Sequence, residues 1–340
     1  MAALFKPIKV GRMELVPSDI AVEYYKQRTS FPGTLAISEG TMPDESMGIW
    51  PHGPILRSPE QVAGFMKVVD AVHANGSSLY LQLAGMGGAQ NSAVLKAFNH
   101  EFDVVGPSTI AFEGGEVPRE MSVQEIQENI AHFVRSSKQF IEDYLLDQFL
   151  QTMSNKRTDE YGGSVENRAR FLLETVAAVS AAIGEDRVSV RLSPFSPFQG
   201  MKMPKPDPKE TFSYVVTDLK NRHPNLAFLH VVDARISDAD EVQPGEHESI
   251  EFLREIGSPP RFFIAGGFGA QHGCELVEKH DNVVLVYGRY FISNPDLIHR
   301  LKHNIPLTPY DRSTFYPLGP LASKGYIDYP FAPEQVAVAA

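Results

Sequence analysis

Short apolar runs alternate along the chain with longer segments in which apolar residues recur every three or four positions. The runs are apolar on both faces, which is typical of strands in a parallel sheet that is covered by helices. They predict six strands, at 33–39, 78–84, 188–193, 227–232, 261–266 and 283–288. Strands that alternate with helices predict an α/β fold with a parallel sheet.

The segments between these strands carry the start signals of helices. Ser58 and Gln61, with proline at position 59, predict a capping box, and Ser122 and Glu125 predict a second one. The apolar residues that repeat along three helices predict stripes facing the core: Val62, Met66 and Val69; Ile126, Ile130 and Phe133; Leu172, Val176, Val179 and Ile183.

The organisation of the chain predicts one domain over residues 1–340, because no internal repeat, low-complexity tract or linker interrupts the pattern. Polar segments rich in proline, glycine or aspartate follow two predicted strands, at 195–211 and 234–250. In a β/α barrel the loops at the carboxyl ends of the strands carry function. These two segments are therefore predicted to border a pocket.

Charge and composition narrow the function classes. The 31 basic and 42 acidic residues give a net charge of −11, which disfavours nucleic acid and anionic membrane surfaces as partners. The single cysteine, Cys274, excludes an internal disulfide and is typical of a reducing compartment. No apolar run has membrane-spanning or secretory length, so we expect a cytoplasmic protein. The histidines show no metal-ligand spacing, and no metal is expected.

Two consecutive strand ends predict a phosphate site. Gly266 and Gly267 stand at the end of the strand predicted at 261–266, and Gly288 and Arg289 stand at the end of the strand predicted at 283–288. Glycines let backbone N–H groups approach an anion closely, and a guanidinium offers two parallel donors to a phosphate. The late position of the pair is that of the phosphate site in many β/α barrels.

A set of longer segments resembles the old yellow enzymes, and most closely their fungal members. The resemblance runs from about residue 4 to residue 331 and rests on LFKPIKVGRM, AVEYYKQRTSFPGTL, VVDAVHANGSSLYLQL, YLLDQFLQTMSNKRTDEYGGSVENRARF, VRLSPFSPFQGM, AGGF, VYGRYFISNPDL and GYIDYPF. It implies a TIM-type (β/α)₈ barrel, bound FMN and NADPH as a transient reductant. It also implies reduction of an activated alkene in a small organic substrate, and a homodimer is compatible with it.

The resemblance further implies which residues hold the flavin ring. Gln82 matches the glutamine that hydrogen-bonds the ring, and Arg191 matches the arginine that faces the N1–O2 edge of the ring and stabilises its reduced form. Gly40 matches the small residue beneath the ring.

Other matched residues are implied to hold the phosphate and the substrate. Gly267, Gly288 and Arg289 match the phosphate holders, beside Gly266. Phe315 and Tyr316 match an aromatic lid, with Tyr316 toward the substrate. Tyr144 matches the tyrosine that protonates the alkene carbon opposite the one that receives hydride.

Two strands of the family pattern are not recognisable in this chain. The turn after the first strand is reduced to Pro17 and Ser18, and the fourth strand, whose His and Asn bind the substrate carbonyl, is missing before Tyr144. Residues 126, 130, 133, 137, 140, 144 and 148 keep a helical phase, so one long helix is one interpretation of this region. A modified or incomplete barrel is therefore expected, with a replacement strand through Phe102–Val105 as one way to fill it.

The segment after Gln82 also departs from the family. LQLAGMGGAQ stands where the family has LQLWALGRAA, so that Ala84 and Gly88 replace a tryptophan and an arginine. These changes predict a pocket that is wider and less polar at this place.

Three functions remain open from the sequence. The first is an FMN-dependent oxidoreductase of this family with altered substrate handling. The second is a non-redox isomerase or cyclase of secondary metabolism on the same scaffold, in which Arg191 and Tyr144 would be acid or oxyanion groups. The third is a catalytically inactive homologue. Bound flavin separates the first from the third, and turnover without NADPH would select the second.

Overall fold

The computed structural model describes residues 16–51, 53–112, 114–136, 140–141, 144–197, 202–204, 207–237, 240–241, 243–245, 248–257, 261–315 and 323–333. The strands are β1 Leu35–Thr41, β2 Ser78–Leu83, β3 Val105–Gly106, β4 Arg119–Glu120, β5 Phe140–Ile141, β6 Ser189–Leu192, β7 Phe228–Val232, β8 Ile236–Ser237, β9 Asp240–Glu241, β10 Phe262–Ala265 and β11 Val283–Val286.

The helices are α1 Asp19–Arg28, α2 Pro59–Ala74, α3 Ser92–Phe98, α4 Val123–Ser136, α5 Tyr144–Leu150, α6 Val165–Ile183, α7 Asp207–Arg222, α8 Glu251–Glu255, α9 Ala270–Lys279, α10 Arg289–Ser293 and α11 Leu297–Lys302. In the part of the chain that the structure describes, no helix is both long and apolar enough to cross a membrane.

One parallel sheet of seven strands organises the molecule, in the order β1-β2-β5-β6-β7-β10-β11. The strand order follows the chain order, which is the arrangement that successive β/α units of a barrel produce. All six strands predicted from the apolar runs are present, as β1, β2, β6, β7, β10 and β11. Because the strands are parallel, all their carboxyl ends, and the side chains that follow them, lie at one edge of the sheet.

The prediction that the fourth strand is missing is wrong. Phe140 and Ile141 form β5, which pairs with Gln82 and Leu83 of β2 on one side and with Ser189 and Val190 of β6 on the other. Pairing on both sides satisfies backbone donors and acceptors that the neighbouring strands would otherwise leave unpaired at this place. A strand of two residues is enough to keep the sheet continuous between β2 and β6.

The interpretation of residues 126–148 as one long helix is also wrong. Helix α4 ends at Ser136, whose hydroxyl donates to the carbonyl oxygens of Pro43 and Leu56 at 3.0 and 2.8 Å. Helix α5 begins afresh at Tyr144, and the N–H of Leu145 donates to the carbonyl of Gly85 at 3.1 Å. Both helix ends are thus fastened to the loops after β1 and β2, on either side of β5.

The expected replacement strand does not join the large sheet. Val105 and Gly106 form β3, which pairs with Arg119 and Glu120 of β4 in a separate two-stranded sheet. The predicted loss of the first family strand falls on residues 1–15, outside the described residues. Within the described part of the chain, β1 and β11 are the edge strands of the seven-stranded sheet.

The predicted apolar stripes are confirmed for α4 and α6. Ile126, Ile130 and Phe133 are buried, as are Leu172 and Val176. The capping box of α4 is present, with the Ser122 hydroxyl accepting from Glu125 N–H and the Glu125 carboxylate accepting from Ser122 N–H. Helix α6 ends at Ile183 and is capped by Gly184, which has a φ of +89°.

The stripe predicted for α2 is wrong at two of its three positions, whereas Val69 is partly buried and packs against the core. Val62 and Met66 are 44% and 48% exposed, whereas Phe65 and Val68 face the core. The rotation of the helix is set by Gly64, because a Cβ at this position would lie 2.7 Å from Val16 and 2.9 Å from Pro17. Only the glycine lets the chain before α1 pack against this face of α2, and that contact turns Val62 and Met66 to the surface.

Candidate functional site

The carboxyl ends of β1 and β2 bring Gly40 and Gln82 side by side. Gly40 pairs with Gln82 after an irregularity in β1, where the hydroxyl of Ser38 accepts from Gln82 N–H at 2.9 Å. A Cβ built on Gly40 would lie 3.4 Å from the Cβ of Ala84 and 3.5 Å from Nε2 of Gln82. The Gln82 amide therefore stands beside bare backbone, and the missing side chain leaves room for a flat group.

Arg191 lies at the end of β6 beside a histidine that the sequence analysis missed. Arg191 pairs with His230 of β7, and His230 is 1% exposed. The guanidinium of Arg191 is enclosed although part of the side chain stays accessible, and burial lowers its pKa to about 10. At pH 7 the charged form still exceeds the neutral one roughly a thousandfold. Burial first, and then the charge of Arg191, lower the pKa of His230 well below its ordinary value, so this imidazole is neutral.

A glycine turn follows β10, as predicted. Gly267 has a φ of +65°, a left-handed conformation that favours glycine. A Cβ on Gly266 would lie 2.9 Å from the Phe268 ring and 3.0 Å from Nη2 of Arg235. Arg235 lies over the Phe268 ring at 5.0 Å and is held by the Asp233 carboxylate, with Nε 3.1 Å from Oδ1. The turn thus has little room for side chains and carries a second guanidinium that the sequence analysis did not identify.

The next strand end places Gly288 and Arg289 beside this turn, because β10 and β11 are neighbours. Gly288 precedes the short helix α10, and Arg289 is its first residue. Arg289 Nη1 donates to the Tyr310 hydroxyl at 2.9 Å, and its guanidinium carbon lies 5.2 Å from the centre of that ring. Phe315 is 4% exposed, with its ring 5.8 Å from that of Tyr310. Tyr316 lies outside the described residues.

Tyr144 occupies a different part of the same edge. It is the first residue of α5 and packs against an apolar cluster that includes Met42, Ile49 and Met86. Gln148, one turn later, accepts from Gly88 N–H at 3.0 Å and donates to the Met86 carbonyl at 3.0 Å. These bonds hold α5 against the loop after β2.

The expected gain of space at Gly88 is not found. A Cβ on this glycine would lie 2.5 Å from the Phe112 ring and 3.3 Å from Pro118. The volume that an arginine would need is taken by these two residues, so the substitution of glycine for arginine changes the packing without opening the pocket there.

Residues that the sequence analysis missed had weak signals. His230 is the one polar side chain within the apolar run FLHVV, and a lone histidine in such a run gives no indication of its neighbour. Arg235 stands in the segment 234–250 that was predicted to border a pocket, but nothing in its spacing relates it to Gly266. Pairing between strands brings His230 beside Arg191, and it brings Arg235 beside Gly266.

These groups fit an FMN molecule. The Gly266–Gly267 turn with Arg235 and Arg289 offers amides, cations and bare backbone suited to a phosphate. Gly40 leaves the space that a Cβ would occupy beside Gln82, as a flat ring requires. The buried charge of Arg191 suits a ring that becomes negative when it is reduced.

Comparison with known proteins agrees with this geometry. Residues 14–308 match the model of the NADH:flavin oxidoreductase / NADH oxidase family. Chanoclavine-I aldehyde reductase fgaOx3 of Penicillium roqueforti is 38% identical over 98% of this chain and 98% of its own. A protein of Epichloe festucae var. lolii named "Probable inactive reductase easA" is also 38% identical, over 95% of this chain and 89% of its own.

A solved structure extends the agreement to the fold. The crystal structure of Old Yellow Enzyme from Pichia sp. AKU4542 superposes with a TM-score of 0.85 at 32% identity, covering 97% of this chain and 94% of that one. The predicted β/α barrel architecture is thereby confirmed, and the predicted cofactors, FMN with NAD(P)H as reductant, are confirmed at the level of the family. The chain belongs to the NADH:flavin oxidoreductase / NADH oxidase family, the family of the old yellow enzymes.

Proposed function

We propose that the protein reduces the activated carbon–carbon double bond of a small α,β-unsaturated carbonyl compound, with NADPH as the source of electrons. The observation that supports this most is the row of Gly40, Gln82 and Arg191 at the carboxyl ends of β1, β2 and β6, with Tyr144 at the same edge. A cytoplasmic location and a substrate from secondary metabolism belong to the same proposal. The relative named for chanoclavine-I aldehyde supports such a substrate.

The residues of the ring site have separate roles. FMN, when bound, would supply hydride chemistry, with NADPH as the source of electrons. Gln82 would orient the ring through its amide, and Gly40 would admit the ring because it has no side chain. Arg191 holds a positive charge in an enclosed place, where it stabilises developing negative charge more strongly than it would in water. His230, neutral beside it, adds no competing charge.

Tyr144 supplies the proton. Its hydroxyl donates the proton to the alkene carbon that does not receive hydride, and the tyrosinate that remains takes a proton from water. A positioned acid of this kind contributes typically a hundredfold to ten-thousandfold to a rate. The bonds from Gln148 and Leu145 that fasten α5 to the loop after β2 keep this group in place.

Substrate handling differs from the family pattern at β5. The resemblance implies a histidine and an asparagine that polarise the substrate carbonyl, but Ile141 is followed directly by Glu142, Asp143 and Tyr144. Loss of one such donor commonly costs about a hundredfold in rate. The proposed substrates are therefore alkenes that are already strongly polarised, such as unsaturated aldehydes.

The test begins with the visible spectrum of the purified protein, with FMN added if it is colourless. Flavin bands that NADPH bleaches without air, and that an unsaturated aldehyde restores, would support the proposal. In Tyr144→Phe the rate at which NADPH bleaches the flavin bands should stay within about twofold of the parent. The rate at which the unsaturated aldehyde restores the bands should fall by about a hundredfold or more. A folded protein that takes up no FMN, or bleaches and is restored by no activated alkene, would exclude it.

A flavin-binding protein without reductase activity is the second candidate. The two-residue length of β5 and the similarity to a relative named "Probable inactive reductase" favour it. Bleaching by NADPH with no response to any aldehyde would select this candidate. Conversion of an added compound without NADPH would instead select the isomerase or cyclase, and flavin bands would then not change.

A further inference from the structure

A small cavity beside Tyr144 has no role in the reaction so far described. It has a volume of about 150 Å³. Its lining comes from three places: Trp50 from the loop after β1, Met86, Ala89, Gln90 and Val94 from the segment after β2, and Tyr144 at the start of α5. All three places follow carboxyl ends of strands, so the cavity lies at the edge of the sheet that carries Gln82.

The size of the cavity limits what can occupy it. An apolar protein cavity of about 150 Å³ is known to hold one benzene molecule. A single six-membered ring or a branched alkyl group of similar volume therefore fits.

The polar atoms of the lining are largely engaged. Gln90 is 5% exposed, its Oε1 accepts from Ile49 N–H at 2.8 Å, and its Nε2 donates to the Asn91 carbonyl at 2.9 Å. Asn91 Oδ1 accepts from Val94 N–H at 3.1 Å and so caps α3. An occupant finds few hydrogen-bonding groups to replace the ones it would lose in water, which favours an apolar group.

The walls are also fixed before anything binds. Met86 N–H donates to the Met47 carbonyl at 2.8 Å, and this bond joins the segment after β2 to the loop after β1. Leu145 N–H donates to the Gly85 carbonyl at 3.1 Å and joins α5 to the same segment. A preformed pocket of this kind binds without first ordering its own side chains.

We propose that this cavity binds a ring-sized apolar substituent of the unsaturated substrate, and so selects aryl- or cycloalkyl-substituted alkenes over short-chain ones. The inference rests on the proposed alkene reduction. Tyr144 belongs to the cavity wall, so a substituent in the cavity lies next to the group that protonates the alkene. Filling a hydrophobic pocket changes kcat/KM by roughly tenfold to two-hundredfold for each methylene-sized step, so a phenyl group should gain at least tenfold over a methyl group.

Trp50 makes occupancy measurable without turnover. It is the only tryptophan in the chain and is 49% exposed at the rim of the cavity. Benzene, which has no carbonyl and does not absorb where tryptophan is excited, should shift its emission to the blue in a saturable way. Val94→Phe and Ala89→Leu, two separate ways to fill the cavity, should abolish the shift. Val62→Phe, on the exposed face of α2, should leave it unchanged.

The kinetic arm compares cinnamaldehyde with crotonaldehyde, which differ by phenyl against methyl on the same carbon. In Val94→Phe and Ala89→Leu the ratio of the two kcat/KM values should fall at least tenfold, while crotonaldehyde itself keeps its kcat/KM within about threefold. A linear response to benzene, or equal losses for both aldehydes in folded variants, would overturn the inference. If benzene saturates but neither aldehyde reacts, the proposed function fails, and with it the assignment of the cavity to a substrate.

Discussion

Arg191→Met tests whether the enclosed guanidinium serves the reduced flavin. Methionine keeps a long unbranched side chain and removes the charge, so the surrounding packing changes little. The lowering of the Arg191 pKa from 12.5 to about 10 by burial corresponds to about 3 kcal/mol against the charged form. At pH 7 the group still carries its charge, so an enclosed cation stands where the ring is expected. An interaction with a charged group of this kind is worth up to about 3 kcal/mol.

The expected result follows from that magnitude. For a two-electron couple about 30 mV corresponds to 1.4 kcal/mol, so loss of about 3 kcal/mol lowers the reduction potential of bound FMN by about 60 mV. The assay is an anaerobic spectroelectrochemical titration of the flavin band. The free energy of unfolding of the apoprotein should stay within about 1 kcal/mol of the parent or rise, because burial opposes the charge that the substitution removes.

Arg300→Met is the matched control. Arg300 is also buried, but its Nε lies 2.6 Å from Oδ1 of the buried Asp296. Removing one partner of such a pair leaves a carboxylate without its countercharge and costs about 3–5 kcal/mol of stability. Two results would refute the reasoning. One is a reduction potential of bound FMN in Arg191→Met within about 15 mV of the parent, and the other is a loss of apoprotein stability as large as that of Arg300→Met.

Three further changes test the glycine turn after β10, the half-buried carboxyl of Asp147 and the loop after β2. Gly266→Ala should weaken FMN binding at least tenfold in a fluorescence titration, because its Cβ has no room. Gly269→Ala is the control: its Cβ would meet no atom within 4 Å, so FMN binding should change less than twofold. Equal effects of the two substitutions would contradict a crowded turn. Burial raises the pKa of Asp147 to about 7, so the folded protein holds this proton more tightly than the unfolded chain does. The free energy of unfolding should therefore fall as the pH rises from about 4 to 7, by at most about 4 kcal/mol. Asp147→Asn should flatten this part of the urea-unfolding profile, and the exposed-site variant Asp281→Asn should not; an unchanged profile in Asp147→Asn would count against the assignment. Gly88→Arg, which restores the family residue, should lower the free energy of unfolding by more than about 2 kcal/mol, because an aromatic ring lies 2.5 Å from its Cβ position; a stable variant with a wider substrate range would show that the ring moves aside.

The strands of the sheet differ in how well the pattern of apolar residues predicted them. The runs that became β6, β7 and β10 were recognisable because strands buried on both faces need continuous apolar residues. Strand β5 was missed because two residues carry no periodicity, and the helical phase of its flanks suggested a helix instead. It exists because β2 and β6 on either side offer it hydrogen-bonding partners.

The ring site and the phosphate site were predictable to different degrees. Gly266 and Gly288 were found without any relative, because a glycine straight after a strand lets an anion approach backbone amides. Gln82 and Arg191 drew attention only through resemblance to a family, since a polar residue at a strand end is ordinary. Nothing in the sequence drew attention to His230, although it is the strand neighbour of Arg191.

The class of fold and the family follow from the amino-acid sequence, because they depend on local patterns and on motifs of consecutive residues. The same patterns mark the strand ends at which a flavin is expected. The tertiary structure decided the rotation of α2, through the contact of Gly64 with Val16 and Pro17. It also decided how α5 carries Tyr144 to the sheet edge, and it formed the cavity between three separate segments. These features depend on contacts between residues far apart in the chain, for which no local pattern of apolar and polar residues exists.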